Sequence, residues 1–165
     1  MIILCCCQLV PVTVAQTKGQ SDPPLADTVK WMADFSEVHG RLYRGRVMVR
    51  TNQISGKGCK LGLVVHFPKP AEKGPSNVTS ELDLADFDPR VKVDSDEDQN
   101  QFQVTFERFD AQMKTHEVNE YSDGRKLEMW TAEAYLFFDS EESAQRFAKA
   151  MSHAIALCGG RTAPF

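Results

Sequence analysis

A chain of 165 residues that is 42% apolar has the material for one domain with a packed core. Its net charge of -4 excludes the strongly basic balance expected of a nucleic-acid partner. No run reaches the roughly 18 apolar residues of a membrane span.

Met1 to Ala15 is apolar, carries no charged side chain and ends in Thr13-Val14-Ala15, a small-residue cleavage pattern. It reads as a secretory signal peptide over 1–15, the alternative being a buried N-terminal strand. The signal reading predicts a periplasmic or secreted protein; the alternative predicts a cytoplasmic one. Gln16 to Pro24 is polar, contains Gly19 and the pair Pro23-Pro24, and reads as a linker over 16–24. Cys5, Cys6 and Cys7 would leave with the leader, so the mature chain keeps Cys59 and Cys158. That pair permits one disulfide in an oxidising compartment. Packing as two separate buried thiols is the alternative, and Cys158 on an apolar helix face leans toward it. No CxxC or Cys/His ligand spacing follows, so no metal and no cofactor is expected.

A single domain is predicted over 25–160, with a tail at 161–165. Leu25, Thr28, Val29, Met32, Phe35 and Ser36 fall at helical spacing, and Gly40 ends the helix. Trp31 should be partly buried at its edge. Arg41 to Ile54 alternates with period two, placing Tyr43, Val47, Val49 and Thr51 on a buried face and Leu42, Arg44, Arg46, Met48 and Arg50 on a basic one. Ser55 to Gly58 reads as a turn and Cys59 to Phe67 as a second strand, closed by Pro68 and Pro70. Leu82, Leu84 and Phe87 predict another strand or an extended piece, and Val91 and Val93 a short strand. Phe102, Val104 and Phe106 alternate cleanly in another. Met113 to Val118 and Trp130 to Phe138 are the last two, separated by a turn at Ser122-Asp123-Gly124.

The final element is Asp139 to Gly160. Ala144, Phe147, Ala148, Met151, Ala154, Ile155 and Cys158 make one apolar stripe. Asp139 or Ser140 caps the start, Glu141 and Glu142 suit the positive end of the helix dipole, and Gly159-Gly160 stops it. Arg146 is placed to pair with Glu142 one turn earlier.

About seven strands followed by an amphipathic helix make an α+β chain that resembles the pleckstrin-homology superfold. The similarity is most visible in Tyr135-Leu136-Phe137-Phe138-Asp139-Ser140-Glu141-Glu142, then Arg146-Phe147 and Ala150-Met151. The resemblance implies a small barrel of two near-orthogonal antiparallel sheets closed by the C-terminal helix, here preceded by a short N-terminal helix. Phe147 stands where such domains characteristically carry Trp. A second resemblance rests on Thr28-Val29-Lys30-Trp31-Met32, Asp88-Pro89-Arg90-Val91, the terminal His153-Ala154-Ile155-Ala156-Leu157-Cys158-Gly159-Gly160, and Pro164-Phe165. These pieces look like a group of secreted bacterial proteins with a short helix, a β-domain and a terminal helix in this order. That resemblance implies an extracytoplasmic bacterial protein and no particular activity.

Arg41, Arg44, Arg46, Arg50, Lys57 and Lys60 lie in a stretch without a single acid. In pleckstrin-homology domains that bind phosphoinositides, basic residues of the first hairpin hold the head group. Arg50, Lys57 and Lys60 surround the matching turn here, although the family's exact basic pattern is absent; with Arg44 and Arg46 the basic face reads more loosely as a site for an anionic lipid, surface or glycan. A solvated strand face paired with Glu81 and Asp83 is the plain alternative. Asp94, Asp96, Asp98 and Asn100 alternate like half a calcium loop, but Gln99 and Thr105 replace the glycine and the bidentate glutamate such a loop needs. Asn77-Val78-Thr79 fits a glycosylation acceptor. There is no HExxH, no GxSxG and no phosphate-binding glycine loop. A hydrolase would require a pocket assembling two or more of His66, His116, Asp110 and Glu117. His153 should lie exposed beside Lys149. The sequence thus predicts a non-catalytic binding or interaction domain for a protein, peptide or anionic ligand.

Overall fold

The computed structural model describes residues 22–44, 47–68, 74–96, 101–110 and 115–161. The segment over 1–15 expected as a signal peptide, most of the expected linker and the last four residues lie outside it.

Helix α1, Leu25–His39, buries Val29, Met32 and Phe35. Trp31 is half-buried and stacks on Phe35 at 4.4 Å. Gly40 ends the helix, and its amide donates to the carbonyl of Ser36. A Cβ there would come within 2.3 Å of that carbonyl oxygen and 3.2 Å of Asn52 Cβ, so the chain leaves the helix where only glycine fits.

The predicted single strand from Arg41 to Ile54 is two strands. β1, Arg41–Arg44, pairs antiparallel with β2, Val47–Lys57, in the register Arg44↔Val47, with a bulge between Leu42 and Tyr43. Alternation survives the reversal and the bulge, so periodicity alone did not reveal it. The buried face is also the opposite of the predicted one. Leu42, Asn52 and Ile54 point inward with Arg50, while Val47 is exposed. The Asn52 side-chain amide donates to the carbonyl of Phe137 across the core, so this face is covered by the last strand.

β2 turns at Gly58, which takes φ +62°, into β3, Lys60–His66. β4, Asn77–Asp83, follows, then a 3-10 turn at Leu84–Asp86. β5, Lys92–Asp96, and β6, Gln101–Glu107, form a hairpin; Asp94 and Asp96 of the half calcium pattern lie in β5, and Asp98 and Asn100 lie outside the described residues. β7, Thr115–Glu120, pairs with β8, Lys126–Thr131. The predicted strand Trp130 to Phe138 is broken at Ala132, and its second part is β9, Glu133–Phe138. The two parts enter different sheets. The order is β1-β2-β3-β4-β7-β8 in one and β5-β6-β9 in the other.

The architecture is therefore α+β, with two antiparallel sheets and two helices. Among the described residues no strand pairing joins the sheets into a closed barrel. Leu61, Leu63, Val65 and Leu82 of the large sheet meet Val104, Phe106, Leu136 and Phe138 of the small one. Helix α2, Glu141–Leu157, fills this core with the predicted stripe. Phe147 is fully buried, 4.8 Å from Phe138.

Both ends of α2 are anchored. Ser140 is the N-cap, its hydroxyl accepting from the Ser143 amide. His39 Nδ1 donates to Asp139 at 2.9 Å, tying the start of α2 to the end of α1. At the other end Gly160 donates to the Ile155 carbonyl and Gly159, at φ +82°, to that of Ala156, which is a Schellman cap. Just before this cap, Cys158 is bonded to Cys59 in the β2–β3 turn, with Cα atoms 5.6 Å apart. The preference for separate thiols is thereby corrected. The reason is tertiary: the turn carrying Cys59 lies beside the end of a helix 99 residues away in sequence.

Candidate functional site

The predicted basic site is spread along the first hairpins. Arg44 ends β1, and Arg46 lies outside the described residues. Arg50 is half-buried, its guanidinium 4.4 Å from the Phe137 ring and 5.1 Å from that of Phe67. Lys57 and Lys60 face each other across the β2–β3 turn, both exposed. They stand seven residues or more from Arg50, about 23 Å at a rise of about 3.3 Å per residue. Arg50 therefore does not converge with them. Register sets Lys60 opposite Asp83 of β4, and Glu81 lies next but one on the same strand.

The scattered polar residues behave similarly. His66 Nδ1 donates to Asn77 Oδ1 at 2.7 Å, and Asn77 is the asparagine of the glycosylation pattern. His116 Nε2 donates to Glu128 at 3.1 Å, with its ring 4.9 Å from Trp130. Glu117, the next residue along β7, points to the other face of the sheet. There it lines the slot between the sheets with Val78, Ser80 and Tyr135. Burial without a compensating cation raises its carboxyl above the usual 4.5. Alternation along β7 thus separates Glu117 from His116, and Asp110 is exposed on the chain after β6.

Two large concave features flank α2. A groove of about 680 Å³ runs between α1 and α2, lined among others by Asp27, Trp31, Arg146, Lys149, Ala150 and His153. A second, of about 730 Å³, lies on the other flank against the start of the β5 region. Its lining includes Arg90, Val91, Gln145, Lys149, Ser152 and His153 and, among the described residues, no carboxylate side chain. Lys149 and His153, one turn apart, form the ridge shared by both.

The charges around this ridge differ in freedom. Arg146 does not pair with Glu142 as expected; its guanidinium lies 5.1 Å from the Phe35 ring, in line with the aromatic edge of α1. Arg90 is held by Asp88 through a forked pair of contacts. His153 is half-buried rather than exposed, and its Nε2–H donates to the Pro23 carbonyl at 2.9 Å, closing one end of the α1–α2 groove. Lys149 has no ion-pair or hydrogen-bond partner among the described residues. The grooves escaped the sequence because each is built by two elements distant in the chain. The helical spacing of Arg146, Lys149 and His153, opposite the apolar stripe, was the signal that could have located their common ridge.

A buried ionic contact was also missed. Arg108 is almost wholly buried, paired with Asp86, bonded to Thr115 Oγ1 at 3.1 Å and lying 5.2 Å from the Phe87 ring. It joins the 3-10 turn to β7 and acts as scaffold. In comparison with known proteins, the chain matches no family model, no curated protein and no solved structure.

Proposed function

We propose that this protein is a non-catalytic binding domain that holds a small amphiphilic anion in the groove between α1 and α2. The observation that carries the reading is Lys149, an unpaired cation on the rim of a groove floored by Trp31 and Ala150. A flat or aliphatic body against Trp31, with one carboxylate or sulfonate at Lys149, uses both features. Asp22 and Asp27 on the same groove disfavour a polyanion. A volume of about 680 Å³ suits a ligand of drug-like size.

The groove is tested by titrating dodecanoate, and separately anilinonaphthalene sulfonate, into a Trp130→Phe background in which Trp31 is the sole tryptophan. A saturable change in Trp31 emission is expected, weakened by Lys149→Glu and removed by Ala150→Phe. No saturation, or the same response in all three proteins, would refute the groove as the site.

The extracytoplasmic setting is part of the proposal. The Cys59–Cys158 bond supports it, because such bonds persist in oxidising compartments. So does the uncharged apolar leader over 1–15. The mass of protein recovered from its host checks this: a start near Gln16 is expected, and a full-length chain with a reduced pair would reverse it. Kinship with pleckstrin-homology domains stays within the proposal as well. Its support is two antiparallel sheets with a C-terminal amphipathic helix packed in the core. Anion binding at the first hairpin has less support, because Arg50 is engaged by aromatic rings. A hydrolase built on His66, His116, Asp110 and Glu117 has less still, because neighbouring His116 and Glu117 point to opposite faces.

A further inference from the structure

Strand β8 ends the six-stranded sheet, and among the described residues no strand pairs with its outer edge. Which of its backbone groups are free follows from the β7–β8 turn. Tyr121 donates to the Arg125 carbonyl and Gly124 to that of Tyr121, so 121 and 125 form a hydrogen-bonded pair. Antiparallel pairs alternate from there, so Leu127, Met129 and Thr131 bond toward β7. The N–H and C=O groups of Lys126, Glu128 and Trp130 then point outward.

The side chains of this edge are unusually apolar for their exposure. Leu127 is 50% exposed, Met129 40% and Trp130 64%. The register with β7 is unbroken over all six residues, with no bulge and no proline. Its two charges are held within the chain, Lys126 by Glu120 and Glu128 by His116. A straight apolar edge of this kind is a template for another strand.

We propose that the strand is a second copy of β8, paired antiparallel about a two-fold axis so that the sheet continues across a dimer. Charge selects the register. Directly opposite residues share a face, so the axis falls on a residue. An axis on Glu128 sets the two Glu128 carboxylates opposite each other, which is destabilising. An axis on Met129 sets each Glu128 against Trp130, with no cation opposite it across the seam. An axis on Leu127 sets Lys126 of each copy opposite Glu128 of the other, packs Leu127 on Leu127 and lays Trp130 over Gly124, which has no side chain. This register alone sets opposite charges face to face across the seam, and an isologous contact closes as a dimer without growing into a fibre.

Sedimentation equilibrium of the full chain with Lys126→Glu, Glu128→Lys and the double exchange tests it. The native chain should dimerise. Each single variant should raise the dimer dissociation constant about tenfold or more, since both cross-strand pairs become like-charge pairs. The double exchange should restore dimerisation. Leu127→Asp, which sets two carboxylates on the axis, should be monomeric, and matching far-ultraviolet circular dichroism spectra among the variants verify folding. A native monomer at millimolar concentration would overturn the proposal, including one that takes up a foreign extended peptide along β8. A dimer indifferent to both single exchanges, or one the double exchange fails to restore, would overturn it as well.

Discussion

The two ends of the six-stranded sheet are built from similar alternating strands and have opposite fates. At the β1–β3 end the inner face is covered: Asn52 reaches β9, Arg50 lies between Phe67 and Phe137, and Cys59 is bonded to α2. The edge strand there has four residues, a bulge and arginines at 41 and 44. At the β7–β8 end the inner face carries Glu117, Leu127 and Met129, and the edge is regular and exposed. What separates the ends is what packs over them. The small sheet and α2 lie across one end, and the other extends past their cover. Alternation specifies that a strand has two faces; it does not specify how much of the sheet a second layer will reach.

The largest expected effects lie at the covered end and under it. Phe147→Ala should destabilise the protein by about 3–5 kcal/mol in urea unfolding followed by circular dichroism. Asp86→Ala should cost a similar amount, about 3–5 kcal/mol, because it leaves the buried Arg108 without its partner. Either change falling within 0.5 kcal/mol, roughly the scale of surface substitutions, would erase the contrast. Replacing Cys59 and Cys158 by alanine should cost about 2–5 kcal/mol, as for a bond closing a long loop. If the double variant melts with the native protein, the first turn is held by packing alone.

The uncovered end should respond weakly. Trp130→Ala, measured at a concentration dilute enough for monomer, should change stability by about 0.5 kcal/mol or less, as exposed positions do. A loss matching that of Phe147→Ala would show that something covers β8 within the chain. The smallest effect is a function of pH. The folded chain binds the Glu117 proton more tightly than the unfolded chain, because burial raises this carboxyl above 4.5. Its contribution to stability is therefore present in acid and declines as pH rises from 4.5 through the folded value. Glu117→Gln should accordingly melt above the native protein at pH 7, and the two curves should meet near about pH 4. A constant offset at all pH values would mean that packing, not charge, sets the difference.

Local chemistry settled much of the fold before any tertiary contact was known. The stripe of α2, its serine cap and its glycine stop are written within one segment, since a helix closes its own hydrogen bonds. The helix of 25–39, the clean alternation of β6 and the Ser122-Asp123-Gly124 turn were legible for the same reason. Strand pairing is not local. The reversal after Arg44, the inward turn of Leu42 instead of Val47, and the break at Ala132 depended on which strand lies alongside. The grooves beside α2, the buried Arg108 and the union of Cys59 with Cys158 likewise required the two layers to meet. The sequence by itself determined the periodicities, the caps and the identity of the apolar residues, because these act over a few neighbouring positions. Only the tertiary structure decided which faces are covered and which charge is left free, because burial belongs to the partner that arrives from elsewhere in the chain.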